Sequence, residues 1–338
     1  MKFASLLSLL KRHFGLLVSL ALLAWVLHIV GLEAIVAGFG SLSPGWAAAL
    51  FGIYALGLGL RAARWSRLLE PVLSLPPWAS AHIILVGNLA NNILPAKAGD
   101  VARAMLLKRL RGVALSAGIM SVLIERIFAV LALLLIFLLA ILSVRVAPGY
   151  QGVALSILLT TSSVFLGALG VLVAIKYVPG VTGLLLSLAG KLPAGPGAKL
   201  EGLIGSLRDS LAFVRADAGF AWFTGLGLLV WFVEGLAFWA GFQAFHVPGG
   251  VMEALLVFAL VNFGALLPAA PGNIGVYQAS VVYAFAMLGL PLEPAVPLSL
   301  VLQLAQMLFN SVLGVLSMRA LGLDGSFLRL AKAERREG

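Results

Sequence analysis

Charged and amide side chains stand where the surrounding sequence is otherwise apolar. Glu125-Arg126 interrupts the run from Ile119 to Leu142, and Glu234 sits inside another such run. A charge at membrane depth is costly and marks a substrate path, a proton relay or a paired site. Adjacent helical residues point about 100° apart, so Glu125 and Arg126 need not pair with each other. Arg126 could hold a phosphate oxyanion while Glu125 pairs with a cation such as Lys97 or Arg103. The alternative is a buried ion pair that only locks helix packing. Glu234 offers a partner for an intramembrane cation, a proton-coupling carboxylate, or an acid kept neutral by burial.

Further candidates cluster nearby. Arg61, Arg64 and Arg67 recur at i, i+3 and i+6 along one side of a helix end. Arg64-Trp65 has the form of an interfacial anchor, and the stripe as a whole could recruit phosphate through guanidinium forks. Asn88, Asn91 and Asn92 supply amides at i, i+3 and i+4, and Asp100 and Arg103 are spaced to pair on one face. Asn273 and Gln278 are polar but uncharged. Gln303, Gln306 and Asn310 form a stripe that serves either as interhelical glue or as the lining of a headgroup path.

The elements that must position these residues are two interruptions. Asn92-Ile-Leu-Pro95-Ala-Lys97-Ala-Gly99-Asp100 is echoed by Leu267-Pro268-Ala-Ala-Pro271-Gly272-Asn273-Ile-Gly275. Pro95 to Pro268 and Gly99 to Gly272 are both separated by 173 positions. Broken backbone at membrane depth survives only where protein or a water-filled cavity satisfies it. Paired interruptions in two halves point to a transporter's binding site, and helix N-termini exposed at the breaks favour anions.

Full spans are predicted at 15–32, 46–68, 115–146, 153–175, 219–243 and 295–318. Segments 80–111 and 251–290 read as re-entrant hairpins rather than as ordinary helix pairs joined by loops, because each half is short for a crossing. The halves, about 15–146 and about 153–318, are then inverted repeats of one integral membrane domain spanning 1–338. A cytoplasmic linker occupies 180–215, its later part an amphipathic helix, and a basic tail occupies 328–338. With the N-terminus inside, nearly all Lys and Arg outside the spans fall on the cytoplasmic side, and the outer loops keep only Arg145. Both termini are therefore expected in the cytoplasm, at the cytoplasmic (inner) membrane.

Composition excludes much else. The chain has 338 residues, is 62% hydrophobic and 11% charged, and has a mean hydropathy of +1.09. No soluble domain hides that much apolar surface. With no cysteine and four scattered histidines, neither disulfides nor metal-ligand spacing are found, and no cofactor is implied. The net charge of +10 is assigned to cytoplasmic loops and anionic lipid, not to nucleic acid. There is no phosphate-binding Walker loop and no Gly-x-Ser-x-Gly elbow.

Taken in order, Arg61-Ala-Ala-Arg64-Trp65, Asn92 to Arg103, Glu125-Arg126 and Pro268 to Gly275 resemble the transmembrane flippase-like domain of lysylphosphatidylglycerol synthases and its stand-alone relatives, the YbhN-like family. The likeness covers most of the chain. It implies movement of a lipid across the membrane without naming the lipid. The residues themselves suggest an amphipathic lipid with an anionic or zwitterionic headgroup, with Arg126, Lys97 and Arg103 on phosphate and Asn91, Asn92 and Asn273 on the rest of the headgroup. The family's soluble aminoacyl-transferase domain is absent from these residues, so no enzymatic activity is expected. Where relatives often carry an acid after the Glu-Arg pair, Ala129 stands here; where they often carry Gly and a later Glu, Asn273 and Gln278 stand. A membrane-embedded lipid-phosphate transferase, or a scaffold that holds lipid-synthesis enzymes at the cytoplasmic face, are the alternatives.

Overall fold

The structure is a computed structural model that describes residues 18–70, 73–93, 98–178, 180–193, 195–198, 200–202, 204–205, 218–266, 271–324 and 327. Among these residues there is helix and turn and no strand. The helices are α1 (Val18–Val30), α2 (Leu32–Phe39), α3 (Pro44–Leu69), α4 (Pro77–Ile93), α5 (Ala98–Arg111), α6 (Leu115–Ser143), α7 (Gln151–Tyr177) and α8 (Val181–Ala189). They continue with α9 (Ala218–Ala244), α10 (Val251–Gly264), α11 (Val276–Leu288) and α12 (Ala295–Ala320).

Length divides them into two kinds. Helices α3, α6, α7, α9 and α12 run 26 to 29 residues. At about 1.5 Å per residue they exceed a hydrocarbon core of roughly 30 Å. All five contain segments long and apolar enough to cross a membrane. Helices α5, α10 and α11 have only 13 or 14 residues, or roughly 20 Å, and fall short of a crossing. The chain is a multi-pass membrane protein.

Boundaries follow local chemistry. Pro44 opens α3, where its missing N–H costs nothing. Gly31, at φ 79°, separates α1 from α2. The helix in the span predicted at 15–32 thus ends two residues earlier, and a short helix, Leu32–Phe39, occupies most of the stretch before the next span. Leu32 and Val36 of α2 are exposed. The later part of the predicted linker helix and the tail from Leu328 lie outside the described residues, as do Pro95, Lys97 and Pro268.

Helix α3 crosses α9. Helix α4 packs on α3 and α12, and α10 packs on α9 and α6. Helix α5 lies between α4 and α6, and α11 between α10 and α12. The apolar core has two parts. One gathers Val26, Leu50, Phe137, Phe242, Phe285 and Leu298; the other gathers Leu69, Leu75, Leu107, Val113, Phe223 and Leu323. Each part sits toward one end of the bundle. At the first end the Ser43 N–H donates to the Ala244 carbonyl at 2.7 Å, and the Ala147 N–H to the Met287 carbonyl at 2.9 Å. The helix termini that meet at the second end carry Arg67, Lys108, Arg109, Arg111 and Arg319 in their last turns.

A charged and amide site at two broken helices

Each interruption is held by side-chain amides. In the first, α4 and α5 touch backbone to backbone, and a Cβ on Gly99 would overlap the Gly87 carbonyl. Asn91 Oδ1 accepts the Gly99 N–H at 2.8 Å, so a side chain caps the start of α5. Asn88 Nδ2 donates to Asn310 Oδ1 at 2.9 Å. Asn92 Nδ2 donates to Ser311 Oγ at 3.1 Å and to the Met307 carbonyl at 3.4 Å.

The second interruption bends through Gly272 at φ 77°, Asn273 at φ 56° and Gly275 at φ 87°. Glycine, and asparagine at small cost, tolerate this left-handed region. Its freed backbone groups are satisfied by a relay. The Gly275 N–H donates to Gln278 Oε1 at 2.8 Å, Gln278 Nε2 donates to Gln303 Oε1 at 2.7 Å, and Gln303 Nε2 donates to the Gly272 carbonyl at 2.5 Å. Gln278 and Gln303 are buried, and an amide is suited to the task because it donates at one atom and accepts at the other. The Gln303 and Asn310 positions of the predicted stripe therefore act as interhelical glue. Pro271 opens the short turn that ends at Asn273.

Both interruptions reach the same stretch of α12. Asn92 bonds the Met307 carbonyl, and a Cβ on Gly272 would lie 3.5 Å from Met307 Cε. Met307 is at the middle of the 26-residue α12.

The charges pair across helices. Arg103 meets Glu125 at 2.6 Å, with side chains 5% and 17% exposed, and the Arg103 guanidinium lies 4.2 Å over the Trp65 ring. Trp65 Nε1 donates to Ser121 Oγ at 3.3 Å. Arg126 holds Asp100 in a two-pronged contact, Nε to Oδ2 at 3.0 Å and Nη2 to Oδ1 at 2.6 Å, with side chains 47% and 23% exposed. Asp100 and Arg103 do not pair with each other, as their spacing allowed. Each takes a partner from α6, and the two pairs tie α5 to α6. Glu125 does select Arg103, and Arg126 turns away from it.

Arg61 meets Glu234 at 2.5 Å where α3 crosses α9. This pair, with Tyr54, Asn88, Gln306 and Asn310, lines a narrow polar cleft of about 30 Å³. A cleft of that size admits water but not a headgroup. Arg64 is buried and stacks 4.2 Å over Phe223. Tyr54, Ser121 and Ser311 are members of the site that the sequence does not single out, and Trp65, read from sequence as part of an interfacial anchor, is a buried ring beneath Arg103. Tyr54 and Ser311 carry no helical signal beyond ordinary polarity within an apolar span, and only the crossing of helices brings them in.

An all-helical, multi-pass membrane protein, with two broken helices and a buried lattice of ion pairs and amides, is the class that fold and site define. Residues 13–314 match the family described as the lysylphosphatidylglycerol synthase TM region, and the chain belongs to that family. It is similar to two UPF0104 membrane proteins of Methanothermobacter thermautotrophicus. One is 28% identical over 69% of this chain and 71% of the relative; the other is 23% identical over 89% and 92%. It is also similar to the glycosyltransferase AglD of Haloferax volcanii, 25% identical over 84% of this chain and 50% of the relative.

Proposed function

We propose that this protein translocates the polar headgroup of an amphipathic lipid, anionic or zwitterionic, across the cytoplasmic membrane while the tails stay in lipid. The observation that carries this reading is the meeting of both interruptions at Met307, midway along a spanning helix, beside a polar cleft. Broken backbone placed at mid-depth is how secondary transporters build their sites. The narrow cleft is then the closed conformation, and passage requires the walls at Arg61 and Glu234 to part. Arg126, half open and forked, is the phosphate ligand nearest the first interruption, with Lys97 and Arg103 beside it in sequence. Asn91, Asn92 and Asn273 flank the path.

Re-entrant hairpins and inverted repeats belong to the same proposal. Arg61 and Glu234 are 173 positions apart, the separation that relates Gly99 to Gly272. Side chains at equivalent positions of two repeats can meet only near the axis that relates them. The helix pairings exchange in the same way: α4 on α12 mirrors α10 on α6, and α5 on α6 mirrors α11 on α12. The basic end is the cytoplasmic one on charge grounds, and enzymes of lipid synthesis could dock on it. A glycosyltransferase half of which resembles this chain fits substrates whose headgroups include sugar.

Reconstitution into liposomes with labelled lipids tests the proposal. Accelerated movement of a phosphate-bearing lipid between leaflets is the expected result. A changed headgroup without movement would replace it with a membrane-embedded transferase, and neither movement nor chemistry would leave a scaffold.

A further inference from the structure

Among the described residues, the buried side-chain atoms without a hydrogen-bond partner are Arg64 Nε and Nη2, Arg103 Nε and Thr224 Oγ1. Contacts through adjoining residues link them. The Arg64 guanidinium covers the Phe223 ring at 4.2 Å, and Thr224 follows Phe223 on α9. Arg103 covers Trp65, which follows Arg64 on α3, also at 4.2 Å. Gly227, three residues beyond Thr224 and so on the same face of α9, lies against Arg64: a Cβ there would sit 3.0 Å from Arg64 Cζ and Nη2. Arg64 is only 3% exposed and Arg103 only 4%.

Hydrogen bonding singles out Arg64. Arg61, Arg103 and Arg126 each bond a carboxylate, respectively Glu234, Glu125 and Asp100. Arg64 feels the Glu125 carboxylate but hydrogen-bonds to no carboxylate among the described residues, and a buried guanidinium with unfilled N–H groups is unfavourable until an acceptor arrives. Aromatic rings can cover the faces of a guanidinium but not its edge, where the donors point. The open donors belong to three residues on three helices. A tetrahedral oxyanion with several acceptor oxygens suits them, and forked guanidinium contacts are characteristic of phosphate.

We infer that a phosphate group seats at the Arg64 guanidinium edge, between α3, α5 and α9, with Arg103 Nε and the Thr224 hydroxyl as further donors. The site lies toward the basic end of the bundle, apart from the central cleft, and receives the headgroup phosphate there before it passes inward. This last step rests on the translocation reading; the phosphate site itself does not.

Purified protein in a phosphate-free, uncharged detergent is titrated with short-chain phosphatidylglycerol and, separately, with inorganic phosphate, and thermal unfolding is followed. The expected result is a saturable rise in Tm with at least one ligand, with its midpoint moved at least tenfold higher in Arg64→Gln. A response to the lipid alone identifies a headgroup site, and a response to both identifies a general phosphate site. The exposed Arg109→Gln, which removes the same charge, should leave the midpoint in place. Absence of a saturable rise with either ligand, an unmoved midpoint in Arg64→Gln, or an equal shift in Arg109→Gln would overturn the site. Should Arg64→Gln not fold, Thr224→Val decides: it keeps volume and charge, and it should raise the midpoint at least threefold, whereas an unchanged midpoint overturns the site. Binding in micelles needs no transport. Lost binding with intact transport therefore defeats only this site, and intact binding without transport defeats only the translocation reading.

Discussion

At the scale of single residues, the two ion pairs between α5 and α6 look alike in sequence and differ in consequence. Arg103 is buried, so Glu125→Gln strands a charge and should cost about 3–5 kcal/mol of stability. The Asp100–Arg126 pair is half open, and Asp100→Asn should cost no more than ~1 kcal/mol. Thermal unfolding of the two variants in detergent checks the contrast, and equal losses would contradict it. Arg126→Gln makes a separate prediction about function. Leaflet-to-leaflet transport of a phosphate-bearing lipid should fall at least tenfold, equivalent to ~1.4 kcal/mol of lost interaction. Stability should change little, because Gln can still bond to Asp100. Full transport in this variant would remove Arg126 from the path.

At the scale of elements, the two interruptions are built by different means. The first relies on close approach of backbones at Gly87 and Gly99, with Asn91 as cap. Gly99→Ala should therefore push α4 and α5 apart and cost about 1–3 kcal/mol. Gly59→Ala on α3 meets open space, and it should be neutral or stabilising by up to ~1 kcal/mol, since alanine favours helix. Comparable loss in both would mean that helix contact at Gly87 is not what Gly99 protects. The second interruption relies on the relay through Gln278 and Gln303. Gln303→Leu leaves the Gly272 carbonyl and a Gln278 donor without partners, with a cost of about 1–3 kcal/mol. Differential scanning fluorimetry in one detergent measures all three variants.

At the scale of the whole molecule, the connections at Ser43 to Ala244 and at Ala147 to Met287 put segments 33–44, 147–151 and 246–250 toward one end of the bundle. The turn between α3 and α4 lies at the other. Because the chain contains no cysteine, single cysteines report sidedness without interference. Positions in those three segments should label from outside, and positions 70–78 and 191–199 only from inside. Labelling of 70–78 from outside would reverse the assignment of the basic end to the cytoplasm and, with it, the direction from which the first broken helix enters.

Hydropathy, the spacing of the Leu-Pro-Ala-x-x-Gly segments and the segregation of Lys and Arg determined that this is a multi-pass helical membrane protein with two broken helices, because each is a local property of the chain. So was the presence of charge at Glu125, Arg126 and Glu234 within helices apolar enough to cross a membrane. Arg103 was one of two partners the sequence offered for Glu125, but the partners of Arg126 and Glu234 were not legible. Arg61 reaches Glu234, Arg126 reaches Asp100 and Asn88 reaches Asn310 only through helix crossings that no local pattern encodes. The unfilled N–H groups of Arg64 were hidden for the same reason. Its sequence neighbours suggest a surface anchor, and only the packing of Phe223 and Gly227 from α9 buries it with no ion-pair contact among the described residues. Periodicity fixes which residues share a face, but helix packing decides what that face meets.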